Sequence, residues 1–97
     1  MIRHVACFKF RTHELPSRIT DLMNNLAAIP DQVPEVISWS VGTNVLPIEF
    51  NYDAALVADF ADKDALLRYY RNPAVRAVID QIISVAANRI SVDFEVT

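Results

Sequence analysis

The period of the hydrophobic pattern switches between two and about 3.6 residues along this chain, and the order of the switches leaves few folds open. Residues 2–10 (IRHVACFKF) are β-favouring and contain neither Gly nor Pro. Alternation puts His4, Ala6, Phe8 and Phe10 on one face and Arg3, Val5, Cys7 and Lys9 on the other. Pro16 opens a helix at a position where its missing N–H does no harm. Ile19, Leu22, Met23, Leu26 and Ile29 then form one apolar stripe, which Pro30 and Pro34 end. Residues 36–45 (VISWSVGTNV) alternate again, and Gly42, the single glycine, predicts a bulge or bend. Tyr52 to Phe60 read as a third strand. Asp62 caps a helix over residues 63–71, and Asn72-Pro73 breaks it and starts another with Asn72 as N-cap. Val75, Val78, Ile79, Ile82, Ile83 and Ala86 supply the apolar face of that helix. Residues 89–96 (RISVDFEV) form the last strand, with Ile90, Val92, Phe94 and Val96 on one side and Ser91, Asp93 and Glu95 on the other.

The resulting order, β-α-β-β-α-β, predicts an α+β fold of ferredoxin-like type, a four-stranded antiparallel sheet with helices on one face. Ninety-seven residues leave room for one domain, spanning 1–97. The second sheet face then has no helix to cover it, and Val5, Cys7, Ile90, Val92, Phe94 and Val96 lie there. Burying these side chains is worth on the order of 10 kcal/mol. Hydrophobic residues make up 53% of the chain, above the roughly 45–50% of an ordinary domain, which again points to surface meant for a partner. A homodimer formed sheet to sheet is the expected outcome.

Charge and motif content exclude several classes of function. The net charge is −3 and no Lys/Arg cluster occurs, so the basic footprint of a nucleic-acid binder is missing. The apolar runs fall short of the roughly 18–20 residues that a membrane helix needs. One cysteine, Cys7, allows no internal disulfide, and a cytoplasmic setting is expected. Two distant histidines and one cysteine make no zinc pattern, and one glycine is too few for a phosphate loop or dinucleotide fingerprint. No metal and no cofactor are therefore expected.

The opening His4-Val5-Ala6-Cys7-Phe8-Lys9-Phe10 resembles the start of the stress-responsive dimeric α/β-barrel (Dabb) family. Val41-Gly42, Tyr52-Asp53, Phe60, Tyr69, Asn72-Pro73 and Val92-Asp93-Phe94 extend the likeness over nearly the whole chain. The resemblance implies a dimer whose two sheets close into one α/β barrel, with a cavity in each subunit between sheet and helices. It does not imply one function, since such folds host stress-induced stability proteins as well as a polyketide cyclase that uses a histidine and a tyrosine. Tyr69 matches the family tyrosine, but Val75 and Asn72 stand where cyclase-type members carry histidines. A valine cannot move a proton, which weakens that mechanism here.

Candidate site residues follow from the strand faces. If Ile90, Val92 and Phe94 face the partner, Ser91 and Asp93 face the cavity together with His4. A His4–Asp93 pair would fix the imidazole tautomer and support acid–base work; the same carboxylate also serves if it only satisfies a buried histidine. Tyr69 could bring a hydroxyl to the pocket mouth, with Tyr70 one step round the helix. Ala6, Phe8, Leu56, Ala58 and Ser91 are the expected ligand contacts. Two functions remain open. One is a small-molecule binder or cofactor-free enzyme for an apolar or aromatic metabolite; the other is a non-catalytic stress-associated homo-oligomer.

Overall fold

The computed structural model covers Met1–Thr97 and places the elements in the expected order. They are β1 (Ile2–Phe10), α1 (Pro16–Ala27), β2 (Ser38–Thr43), β3 (Ala54–Phe60), α2 (Lys63–Arg71), α3 (Pro73–Val85) and β4 (Ala86–Glu95). The strands form one sheet in the order β2-β3-β1-β4, with every neighbouring pair antiparallel. This is the ferredoxin-like arrangement. The sheet of a single chain is open, with β2 and β4 as its edges.

Local chemistry sets the helix ends. Asp62 accepts a hydrogen bond from the Ala65 amide at 2.8 Å, and Asn72 accepts one from the Ala74 amide at 2.9 Å, so α2 and α3 each satisfy a first-turn donor. Leu15 offers α1 no side-chain cap, and Pro16 at the start removes a donor that would need one. The first helix stops at Ala27, earlier than its apolar stripe suggests, and Ile29–Asp31 form a short 3₁₀ turn that accommodates Pro30. Side chains from elsewhere cover the carbonyls left over at the C-termini. Trp39 Nε1 donates to Leu26 O at 3.0 Å, and the Arg11 guanidinium donates to Ser84 O and Ile83 O at 3.2 Å each. Between helices and sheet, Phe8, Leu22, Leu26, Leu56, Phe60 and Val75 form the centre of the core.

Two strands are shorter than their alternation suggests, because residues 36–37 and 44–45, and Tyr52 and Asp53, lie outside the ladder. The bulge expected at Gly42 is absent: β2 and β3 pair without interruption from Ser38↔Asp59 to Thr43↔Ala54. The irregularity sits instead in β4, which begins at Ala86 rather than at residue 89. There Lys9 pairs with Asn88 and Phe10 with Ala86, leaving Ala87 as an extra residue. Ala86, assigned above to the helix face, is the first residue of this strand, and Ile83 is exposed on α3.

Ala87 decides which way β4 faces. Ala86 is buried on the helix side. Without an extra residue, strict alternation from Ala86 would turn Ile90, Val92 and Phe94 inward and Arg89, Ser91 and Asp93 outward. The bulge reverses this, so Arg89, Ser91 and Asp93 lie opposite Phe8, Ala6 and His4. Val5 and Cys7 of β1 lie opposite Val92 and Ile90 on the outer face, and Val57 of β3 joins them beside Val5. Deleting Ala87 forces β4 either to turn over or to unwind the last turn of α3. We expect a loss of about 2 kcal/mol or more in urea unfolding; unchanged stability would show that the bulge is dispensable.

Candidate functional site

The site lies where the inner faces of β1 and β4 meet α2 and α3. His4 is the third residue of β1 and is buried. Register places Asp93 directly opposite, and His4 Nδ1 lies 2.5 Å from Asp93 Oδ1. A carboxylate can only accept, so Nδ1 carries a proton, and in the neutral imidazole Nε2 then presents its lone pair. Tyr70 Oη lies 3.3 Å from Asp93 Oδ2, to which it donates, and 3.3 Å from His4 Nδ1. The tyrosine ring stands edge-on to the imidazole, with centroids 5.7 Å apart. Asp93 thus holds two partners at once, which fixes its own rotamer and that of the histidine.

Beside these groups opens a cavity of about 380 Å³, within the range of small-molecule sites. Its wall is mostly apolar, from Ala6, Phe8, Leu56, Val78 and Ile82. No fully buried side-chain nitrogen or oxygen in the chain lacks a hydrogen-bond partner. His4 Nε2 and Tyr69 Oη have no protein partner, so each atom keeps some exposure, and both residues line this cavity. The body of Tyr69 is packed against Phe60 and Trp39, with centroids at 4.9 and 6.1 Å. Burial, with the Tyr70 and Asp93 charges behind it, drives the Tyr69 phenol well above its ordinary pKa. Burial also raises Tyr70, aided by Asp93, to about 12. Both phenols are therefore neutral donors at physiological pH.

His4, Asp93, Tyr69, Ala6, Phe8, Leu56 and Ser91 come together at or beside the cavity. Ala58 does not line it; this residue is completely buried within the core. The structure gives a role to Tyr70, in place of a mere neighbour of Tyr69, and adds Arg89. Tyr70 hydrogen-bonds to the pair and Arg89 lines the cavity. The one available signal was register: Arg89 shares the alternation of Ser91 and Asp93. No group of three or more His, Cys, Asp or Glu side chains is placed to hold a metal ion.

The model of the stress responsive A/B barrel domain family, Dabb, matches residues 2–96. No curated protein matches the chain by sequence. Among solved structures, a dimeric ferredoxin-like protein of unknown function from Thermobifida fusca YX is 29% identical, with a TM-score of 0.90, covering 98% of this chain and 90% of its own. A hydroxynitrile lyase from Passiflora edulis is 13% identical, with a TM-score of 0.88, over 99% of this chain and 93% of its own. A cofactor-independent oxygenase from Streptomyces nogalater is 15% identical, with a TM-score of 0.74, over 98% of this chain and 91% of its own. The last two are likenesses of fold alone.

The His4–Asp93 contact has a measurable energetic signature. Asp93→Ala leaves the buried Nδ1–H with only its longer contact to Tyr70 Oη and is expected to cost about 1–3 kcal/mol in urea unfolding. The cycle of His4→Ala, Asp93→Ala and the double variant is expected to show a coupling of about 0.5 kcal/mol or more. Simple additivity would mean that the two side chains do not interact in solution.

Proposed function

We propose, from the premise that this chain belongs to the stress responsive A/B barrel domain family, that it is a homodimer with a cofactor-free acid–base site for a small, largely apolar molecule. One observation carries this reading: His4 Nε2 is open to an apolar cavity while Asp93 holds the other ring nitrogen. A base of that kind works by geometry. The imidazole cannot rotate away, its free nitrogen faces the ligand, and the apolar wall keeps water from competing. In the proposed reaction His4 Nε2 takes a proton from a carbon or oxygen acid. Tyr69 Oη, a neutral donor, supports the negative charge that develops. Asp93 stabilises the imidazolium, and Tyr70 keeps Asp93 in place. The alternative of a purely structural oligomer, its interior filled by its own side chains, accounts poorly for that open volume.

The outer sheet face supports the dimer. Ile90, Val92, Phe94 and Val57 are exposed there at 56, 62, 44 and 38%. The accessible surface of one chain is 6126 Å², against about 5,600 Å² for a typical monomer of its 10.9 kDa. The main charged pair on this face is internally satisfied: Arg3 grips Asp59 through two hydrogen bonds of 2.8 and 3.1 Å, and Ser38 Oγ donates to the same carboxylate. Those hydrogen bonds, from Arg3 first and Ser38 second, hold the Asp59 carboxyl below its ordinary range. Covering the face would bury few unpaired charges. Two such sheets packed face to face would close the α/β barrel, and the Thermobifida fusca relative is itself described as dimeric. No helix is long and apolar enough to cross a membrane.

Two experiments test this reading. Light scattering at micromolar concentration is expected to give a dimer, and Val92→Asp is expected to dissociate it by burying a charge at the interface centre; a folded wild-type monomer would refute the dimer. The acid–base site is read by incubating the protein with small enolisable aryl ketones in heavy water and following hydrogen–deuterium exchange by NMR. The wild type is expected to accelerate exchange and His4→Ala to lose about a hundredfold or more of it. Acceleration that survives in His4→Ala would reduce His4 to a packing residue.

A further inference from the structure

We propose that Arg89 is the anion-binding group of this cavity, and that the ligand is a small apolar molecule carrying a carboxylate. The inference rests on the reading of the cavity as a small-molecule site and adds the ligand's charge and orientation. Most cations of the chain already have work. Arg3, Lys9, Arg18 and Arg68 pair with carboxylates, and Arg11 covers the end of α3. Lys63, Arg71 and Arg76 have no carboxylate partner but do not line the cavity. Arg89 alone combines a place in the cavity wall with a guanidinium that has no side-chain hydrogen bond and no ion pair.

The surroundings make that free charge a recognition element. Asp93, the carboxylate on the same strand face, is held by His4 and Tyr70 and leaves Arg89 unneutralised. Apart from His4, Ser91 and the two tyrosine hydroxyls, the rest of the wall is apolar. Arg89 is exposed at the edge of this space, so an anion there sheds part of its hydration, and a guanidinium fork returns two parallel charge-assisted hydrogen bonds to a carboxylate. The Arg89 charge also reaches Tyr70, where it opposes the rise in that phenol's pKa, so its field extends over the site.

Register sets the ligand's orientation. Arg89 lies opposite Phe8 and Asp93 lies opposite His4, four residues apart along β4, or about 13 Å between backbone positions. A ligand gripped by Arg89 at one end therefore presents its other, apolar end toward His4 Nε2. The same bulge at Ala87 that turns Asp93 inward turns Arg89 inward with it.

The test compares naphthalene-2-carboxylate with naphthalene-2-carboxamide, which share shape and apolar surface but differ in charge. Isothermal titration calorimetry of the wild type is expected to show the carboxylate bound about tenfold more tightly, or better. Arg89→Met, which keeps the apolar stem, is expected to abolish that preference by weakening the carboxylate about tenfold more than the amide. Equal affinities in the wild type would overturn the anion assignment and leave the apolar cavity reading standing. A preference that persists in Arg89→Met would place the anion elsewhere and likewise overturn it. If neither compound binds the wild type, both this proposal and the cavity reading fail.

Discussion

The facing of β4 is the constraint on which the rest of this structure depends. Strand side chains repeat every two residues, so a slip of one position exchanges the two faces completely. In β4 the exchange is set by Ala87, an extra residue lodged between the end of α3 and the paired part of the strand. It brings Asp93 opposite His4 and leaves Ile90, Val92 and Phe94 outside. The polar site and the apolar outer surface are therefore two consequences of one local feature. Neither could be changed by sliding the strand without also changing the other.

Much of the architecture was legible because its causes are local. Asp62 and Asn72 announce helix starts through side chains that bond to amides two or three residues on. The amphipathic stripe Leu22–Leu26 and the alternation of β1 report burial directly. Gly42 misled for the same reason in reverse. A glycine permits a bulge but does not cause one, and the β2–β3 ladder runs straight through it. The bulge that does occur arises because α3 runs into β4 without a loop, and the junction must turn the chain from helix to ladder. Alanines at the junction carry no turn signal, so nothing local marked it.

The site was half legible for a related reason. His4 and Asp93 meet by cross-strand register, which the alternating faces of β1 and β4 expose even when the bulge is invisible. Tyr69 and Tyr70 are adjacent on one helix, and both serve, in different ways. Tyr69 is buried with its ring against Phe60 and Trp39, whereas Tyr70 lies beside the imidazole and bonds to Asp93. Helical spacing places two successive residues about 100° apart, but it cannot say which one points at a strand that follows much later in the chain. That choice belongs to the packing of α2 on the sheet.

Because β4 is an edge strand, its site residues are less firmly supported than those on β1. His4 is held on both sides, by β3 and by β4, and beneath the helices. Asp93 has a single neighbouring strand, and its side chain is 34% exposed. Past Ala86 the residues of β4 up to Glu95 are exposed, so within one chain the strand has little packing beyond its ladder to β1. Long exposed edges with apolar faces fray or associate. In the proposed dimer a partner sheet would press on Ile90, Val92 and Phe94, the residues that alternate with Arg89, Ser91 and Asp93. Side chains on opposite faces of one strand share a backbone, so stiffening the outer face also narrows the motion of the inner one. The dimer face would then matter to the chemistry without touching the ligand: it would hold Asp93 at the distance that keeps His4 in its working tautomer.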